Sequence, residues 1–133
     1  CDFVLMANDA QFFFPEVSLG IFVTGGVTRL LSQQIGTARA RRMILLGERY
    51  AAKDVPTLGF DWQVVAPDEV AAQARALALR IAALPQGPVR DLKQALRESA
   101  GSDLEGAMAI ETEATLRGFL DPESTKRVRG HLA

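Results

Sequence analysis

Residues 12–20 read FFFPEVSLG, and residues 23–28 read VTGGVT. The aromatic run stops at Pro15, and proline ends a strand because it fixes its own φ and has no amide hydrogen to continue the ladder. Glu16 therefore stands at the exit of a predicted strand. The small residues of the second stretch predict a turn. Together the two stretches predict a strand, an acidic exit and a glycine turn in close succession.

A second apolar run lies upstream, at residues 3–7, with the sequence FVLMA. Asn8-Asp9 between the runs is a turn signal, so the pattern predicts two short strands with a tight connection. Both runs are apolar throughout, which is typical of strands buried on both faces. Because two strands alone are not stable, we expect partners, either strands that precede residue 1 or the helices downstream. The apolar pattern at residue 1 suggests a chain that begins within a larger fold.

A helix, a helical turn and a third strand are predicted after the glycine turn. Thr37 is predicted to cap the N-terminus of a helix that ends before Gly47. Residues 53–58 predict a further helical turn, closed by Gly59. Residues 60–65, FDWQVV, alternate at period two and predict a short, half-buried strand.

The remaining chain is predicted to be helical. Four helices are indicated, each opened by a proline or by a residue able to cap the first turn: Pro67, Pro88, Ser102 with Glu105 as a capping box, and Asp121. The fold class is therefore α+β and mainly helical, with two or three short strands followed by a helical tail.

Composition excludes several classes of function. The chain has 133 residues, 48% of them hydrophobic and 23% charged, which is typical of a globular domain. A formal net charge of -1 argues against nucleic-acid binding. One cysteine, Cys1, cannot form an internal disulfide and favours a reducing, cytoplasmic setting, while a single histidine, His131, leaves no histidine-rich metal site. No apolar run is long enough to span a bilayer.

Several spaced motifs together resemble the crotonase, or enoyl-CoA hydratase/isomerase, superfamily. That family has a strand centred on Cys-Asp, a Phe-x-x-Pro-Glu-x-x-x-Gly segment, a glycine-rich turn, a Thr-x-x-Leu stretch, a helix and a Gly-Leu-Val strand. The matching stretches here are residues 1–2 (CD), 12–20, 25–26 (GG), 28–31 (TRLL), 35–48 (IGTARARRMILLGE) and 59–65 (GFDWQVV). The resemblance extends along the whole chain in the same order.

The resemblance implies that this is the C-terminal part of a crotonase fold. Residues 1–66 would end the core and carry the Glu16 segment, and residues 67–133 would form a helical oligomerisation region. Members of the family are trimers or hexamers, so the implied partners are copies of the same chain. The family's second catalytic carboxylate and its oxyanion hole would lie before Cys1, so we expect these residues alone to be inactive.

The resemblance also implies an activity, on a CoA thioester through an enolate-type intermediate, as an enoyl-CoA hydratase or isomerase. Glu16 would be one of two acid/base carboxylates. Leu19, Thr24 and Gly25 would contact the substrate. Thr24 stands where the family usually has a glycine, which leaves hydration, isomerisation and related reactions open. No metal and no covalently bound cofactor is implied, since coenzyme A enters as part of the substrate.

For several basic residues and for Trp62, a functional interpretation is weaker. The resemblance places Lys126 and Arg127 near the CoA adenosine or phosphate of a neighbouring subunit, although a solvated helix end explains them equally well. The arginines at 39, 41 and 42 are better explained as an outer helix face than as a phosphate site. Trp62 is more typical of a core or interface anchor than of a ligand platform.

The sequence also fits two alternatives to an enzyme. The chain could be a noncatalytic helical assembly module, because apolar helix faces favour association. It could also be a family member that only binds a CoA thioester. For Glu16 itself, the competing interpretation is an ordinary solvated glutamate.

Overall fold

The computed structural model describes residues 1–131. It divides the chain into two compact units, the first ending at Ala76 and the second starting at Leu77. The functional division predicted at residues 66 and 67 stays a prediction. The first unit holds four short strands, β1 (Leu5–Ala7), β2 (Gln11–Phe12), β3 (Tyr50–Ala51) and β4 (Gln63–Val65), three helices, α1 (Val27–Ile35), α2 (Thr37–Leu46) and α3 (Val55–Leu58), two 3-10 turns (Val17–Leu19 and Ala52–Asp54), and the start of α4 (Val70–Ala82).

The two N-terminal strands are present, but each pairs with a strand far along the chain. β1 lies parallel to β4, with Leu5 opposite Gln63, whereas β2 lies antiparallel to β3, with Phe12 opposite Tyr50. β1 and β2 do not pair with each other. In the turn after β1, the Asn8 amide instead donates to the Val65 carbonyl at 2.8 Å, which continues the β1–β4 pairing. The partners seen are strands within the chain rather than the downstream helices. Further pairing with strands that precede residue 1 stays a prediction.

The connection between the first two helices differs from the prediction. Residues 27–35 form α1, whereas the sequence pattern predicted a turn through residue 28 and did not predict a helix here. Thr37 is the first residue of α2 rather than its cap, because Gly36 alone joins the helices with φ 82° and ψ 149°. Its amide donates to the Ser32 carbonyl of α1 at 3.0 Å. Because the one residue between the two helices is a glycine, no side chain is available there to cap α2.

The core of the first unit gathers around α2. Met43 and Val55 are completely buried, and Leu31 and Ile35 of α1 pack into the same cluster. Trp62 lies at the edge of the cluster, where its ring stacks on Phe60 at 4.2 Å between centroids. Trp62 is therefore a core anchor, as the sequence indicates.

The second unit holds the end of α4 together with α5 (Gln86–Ser99), α6 (Leu104–Leu120) and α7 (Pro122–His131). Pro67 lies in a turn three residues before α4, not in its first turn. Pro88 is the third residue of α5, where its missing amide hydrogen costs nothing because the first amides of a helix have no partner within it. α5 packs against α6, and α6 against α7.

Of the two predicted starts for the last two helices, one is wrong and one is confirmed. The predicted capping box at Ser102 is wrong: Asp103 caps α6 by accepting the Gly106 amide at 2.8 Å, while the Ser102 hydroxyl donates to the Glu98 carbonyl of the preceding helix. The predicted start at Asp121 is confirmed. Its carboxylate accepts from the Ser124 hydroxyl at 2.7 Å and amide at 3.0 Å, and these bonds, the hydroxyl first, lower the pKa of Asp121.

Replacing Asp103 with alanine is expected to destabilise the protein by about 1 kcal/mol, the usual cost of losing an N-cap side chain. Ser102→Ala is the matched control, because its hydroxyl ends α5 and does not cap α6. Urea denaturation of both variants would separate the two positions. Equal losses would contradict the assignment of Asp103 as the cap.

None of the helices within residues 1–131 combines the length and the apolar character that crossing a membrane requires.

Candidate active site around Glu16

The backbone around Glu16 is held in a tight turn. Glu16 has helical dihedral angles, φ -55° and ψ -47°, and precedes the 3-10 turn Val17–Leu19. Its carbonyl accepts the amides of Leu19 and Ile21, each at 3.0 Å. The Pro15 carbonyl accepts the Ser18 hydroxyl at 2.6 Å. The strand β2 ends at Phe12, three residues before Pro15, so the prediction that the proline itself ends the strand is wrong. A hydrogen-bonded turn fixes the backbone at Glu16.

The carboxylate of Glu16 is in an unusual environment. The residue is partly buried, and its Oε2 atom is shielded from solvent yet accepts no hydrogen bond from any residue in the described part of the chain. A buried polar atom without a partner is destabilising, by about 1–3 kcal/mol in proteins generally. Such exceptions are concentrated where a group serves function rather than stability. The burial argues against the competing interpretation of an ordinary solvated glutamate.

The predicted substrate residues follow Glu16 in one connection, which leads from the 3-10 turn to α1. Leu19 is exposed, as are its apolar neighbours Ile21 and Phe22. Thr24 is exposed, and its carbonyl accepts the Val27 amide at 3.4 Å. Gly25 has φ +70°, in the left-handed region that side chains disfavour. The chain that follows the partly buried Glu16 thus offers an apolar surface and a glycine turn.

Two elements support the Glu16 turn. The strand β2 leads directly into residues 13–15, and α2 packs against the 3-10 turn. The sequence pattern indicated α2 but gave no sign of this contact. A contact between a helix and a turn depends on which helix folds over that turn. Hydrophobic periodicity does not specify this.

An apolar cavity of about 170 Å³ lies beside the strand exit in the first unit, lined by Phe14, Val27, Leu30, Leu31, Gln34, Phe60 and Trp62. The indole Nε1 of Trp62 is buried and donates no hydrogen bond to any residue between 1 and 131. Sequence reasoning did not identify this cavity. In the sequence, only the aromatic residues Phe14 and Trp62, which lie on either side of the cavity, give any indication of it.

The predicted CoA-contacting residues, Lys126 and Arg127, lie on α7 in the second unit, and both are exposed. Arg127 forms an ion pair with Glu123 at 3.3 Å. Arg127 also lines a cavity of about 380 Å³, together with Arg90, Arg117, Asp91, Asp121 and Glu123 among others. These three cations and three carboxylates balance, so the cavity itself has little preference for an anion. A CoA contact at these residues stays a prediction.

The arginines on α2 lie on its outer face. All three are exposed, and two have protein partners: Arg39 donates to the Leu58 carbonyl at 3.1 Å, and Arg42 binds Glu48. The exposure of all three matches the outer-face interpretation, and these contacts of Arg39 and Arg42 are local. Across residues 1–131, His, Cys, Asp and Glu side chains do not group in threes that could hold a metal ion.

The sequence is similar to those of known enoyl-CoA hydratases. A family model described as enoyl-CoA hydratase/isomerase matches residues 1–130. The crotonyl-CoA hydratase of Syntrophomonas wolfei is 33% identical over 114 residues, which make up 86% of this chain and 44% of that protein.

Solved structures give the same similarity in three dimensions. Enoyl-CoA hydratase subunit I of Geobacillus kaustophilus superposes with a TM-score of 0.91 at 29% identity, over 99% of this chain and 51% of that one. A Thermobifida fusca protein described as an enoyl-CoA hydratase, solved in complex with CoA, superposes with a TM-score of 0.83 at 26% identity, over 90% of this chain and 47% of that one. The chain spans about half the length of these proteins. A mostly helical fold with a few short strands, as predicted, matches these neighbours.

Proposed function

The chain belongs to the enoyl-CoA hydratase/isomerase family, and from this premise we propose that it supplies one catalytic carboxylate and part of the substrate site of an enzyme acting on acyl-CoA thioesters. The observation that carries the proposal is the buried, unpartnered Oε2 of Glu16 at the exit of the strand. A carboxylate oxygen without a protein donor has unfilled acceptor capacity, which a group that takes up or delivers a proton requires.

The proposed reaction is proton transfer next to a thioester carbonyl. In hydration, a water adds its hydroxyl to C3 of the 2-enoyl group and a proton is delivered to C2, with Glu16 as one of two carboxylates that move these protons. The enolate formed between the two steps needs donors aimed at the thioester oxygen. By the family pattern, those donors and the second carboxylate come from residues before Cys1. The 133 residues alone are then expected to be inactive.

Substrate selection is proposed to fall to the connection after Glu16. Leu19 offers exposed apolar surface to the acyl group, and Gly25 brings backbone close to the reacting carbons because it has no side chain. Thr24 replaces a glycine of the family pattern, and its side chain narrows the place where a water would sit. Isomerisation of the double bond therefore competes with hydration as the reaction of this member.

The experiment that tests the proposal uses the natural polypeptide that contains these residues, whatever its length. It would be incubated with crotonyl-CoA, the substrate named for the Syntrophomonas wolfei relative, and with a 3-enoyl-CoA of similar length. Loss of the 2-enoyl thioester absorbance indicates hydration, whereas its appearance from the 3-enoyl substrate indicates isomerisation. The proposal would be contradicted if the protein neither turned over nor bound either thioester.

A second function, self-association through the helical tail, is favoured by a separate observation. No residue of α5 or α6 is fully buried, and large apolar side chains stand exposed on them, including Leu96, Leu104 and Leu120, the last 82% exposed. Apolar surface of this extent is typical of an interface. The proposed occupant is a second copy of the same chain, in a trimer or hexamer.

Light scattering of the natural polypeptide is expected to give an oligomer, because burying these leucines removes apolar surface from water. Leu120→Glu is expected to shift the distribution towards monomer, while Thr112→Glu on the same helix is the control for an added charge. A strictly monomeric protein at high concentration would contradict self-association and leave the proposed catalytic role untouched.

A further inference from the structure

One segment, residues 47–51, runs alongside the strand that leads to Glu16. Ala51 and Tyr50 pair with Gln11 and Phe12 in the β2–β3 ladder. One step further along, the guanidinium of Arg49 lies 3.9 Å from the centre of the Phe13 ring. The strand and the segment therefore stay in contact past the end of the ladder.

The contact continues to the residue before Glu16. A Cβ added to Gly47 would lie 3.2 Å from the Phe14 carbonyl oxygen and 3.9 Å from the Pro15 Cα. Gly47 has φ +59°, and its amide donates to the Met43 carbonyl at 3.1 Å, so it caps α2. The backbone just before Glu16 thus rests on the capped end of α2, at a point where only glycine fits without adjustment.

Glu48 ties this segment to α2. Its carboxylate accepts two hydrogen bonds from Arg42, at 2.7 and 3.1 Å, and a third from the Tyr50 hydroxyl at 2.8 Å. Paired bonds from one guanidinium fix direction as well as distance. The bonds from Arg42, and then the one from Tyr50, lower the pKa of Glu48, so the carboxylate stays ionised at neutral pH.

We propose, on the premise that Glu16 is the catalytic carboxylate, that Glu48 is a positioning residue for it. Held by Arg42 and Tyr50, Glu48 keeps residues 47–51 in the one arrangement that aligns the strand and its exit. Glu48 does not touch the substrate in this proposal. It acts through the backbone contact at Gly47 and through the pairing of Tyr50 with Phe12, both of which set where Glu16 begins.

Two conservative variants of the natural polypeptide test the proposal. Glu48→Gln removes the charge that holds Arg42, and Tyr50→Phe removes the hydroxyl but keeps the ring beside Phe12. Small displacements of a catalytic group cost up to roughly a hundredfold in rate, so we expect kcat to fall about tenfold in each variant. KM is expected to stay within about twofold, and the melting temperature to change little, because exposed ion pairs contribute little stability.

The matched control is Glu113→Gln, which removes an exposed ion pair with Arg117 in the second unit. Its kcat, KM and melting temperature are expected to equal those of the unmodified protein. Equal losses of kcat in Glu113→Gln and Glu48→Gln would overturn the proposal. So would a fall in kcat for Glu48→Gln that merely follows the loss of folded protein.

A double-mutant cycle shows whether Glu48 acts through Glu16. In a Glu16→Gln background, Glu48→Gln is expected to cost no further activity, because there is no longer a carboxylate to position. Additive losses would overturn the positioning role. The two proposals fail differently: full activity in Glu48→Gln with reduced activity in Glu16→Gln removes only the positioning role, whereas full activity in Glu16→Gln removes the proposed function itself.

Discussion

Replacing Glu16 with glutamine is expected to lower kcat of the natural polypeptide on an enoyl-CoA by roughly 10²–10⁴-fold, the range that acid/base side chains contribute in enzymes. Glutamine has nearly the same shape, so the turn that holds residue 16 remains intact. An amide cannot take up or deliver the proton that the reaction moves. KM is expected to change less than kcat, because the lost interaction belongs to the transition state rather than to substrate binding.

The matched control for this change is Glu69→Gln. Glu69 is exposed, and its carboxylate accepts a hydrogen bond from Gln73 at 3.1 Å, so the substitution makes the same chemical change far along the chain from the strand exit. Steady-state kinetics with crotonyl-CoA would compare the two variants with the unmodified protein. Unchanged turnover in Glu16→Gln would contradict the catalytic role, and an equal fall in both would show that the effect is not specific to residue 16.

The local parts of the fold could be predicted from the sequence because their signals are local. Gly47 ends α2 in a left-handed backbone conformation, and Asp121 starts α7 by its own carboxylate. The helical tail follows from apolar spacing and prolines. Each of these features needs only residues within one or two turns, which is the range over which sequence patterns act.

The strand partners could not be predicted in the same way. β3 is two residues long, Tyr50–Ala51, and shows no alternation that would distinguish it from a loop. It pairs with Gln11–Phe12, which lies some forty residues earlier. Pairing at that distance depends on how α1 and α2 fold back, and the joint that makes this possible is a single glycine, Gly36. A one-residue connection also explains why Thr37 does not cap its helix.

The candidate site shows the same division between local and distant information. The resemblance of residues 12–20 to a known segment singles out Glu16, whereas its residue type alone predicts a solvated side chain. The shielding of its Oε2 and the contact of Gly47 with Phe14 depend on tertiary packing. The role proposed for Glu48 likewise rests on three side chains from α2, the following loop and β3. No spacing in the sequence indicates that these meet.

Replacing Met43 with alanine is expected to have the largest effect on stability, about 2–5 kcal/mol, the usual cost of truncating a buried long side chain to alanine. Met43 lies on α2 with no exposed surface, in the same cluster as Val55 and Leu31. The cost has two parts, the apolar area no longer buried and the cavity left in a close-packed interior. Urea denaturation, with the midpoint and the slope both recorded, measures the loss.

Met43→Leu is the control for the stability change, since a side chain of similar volume usually costs less than about 1.5 kcal/mol. The pair also separates stability from chemistry at the proposed site. α2 packs against the turn after Glu16, and Gly47 at its end contacts the strand exit. The kcat of the Met43→Ala protein would be measured well below its melting temperature, where the protein is folded. If this kcat equals that of the unmodified protein, α2 holds the turn through its capped end and Glu48 rather than through core packing. A loss in Met43→Ala no larger than in Met43→Leu would contradict the central place of Met43 in the core.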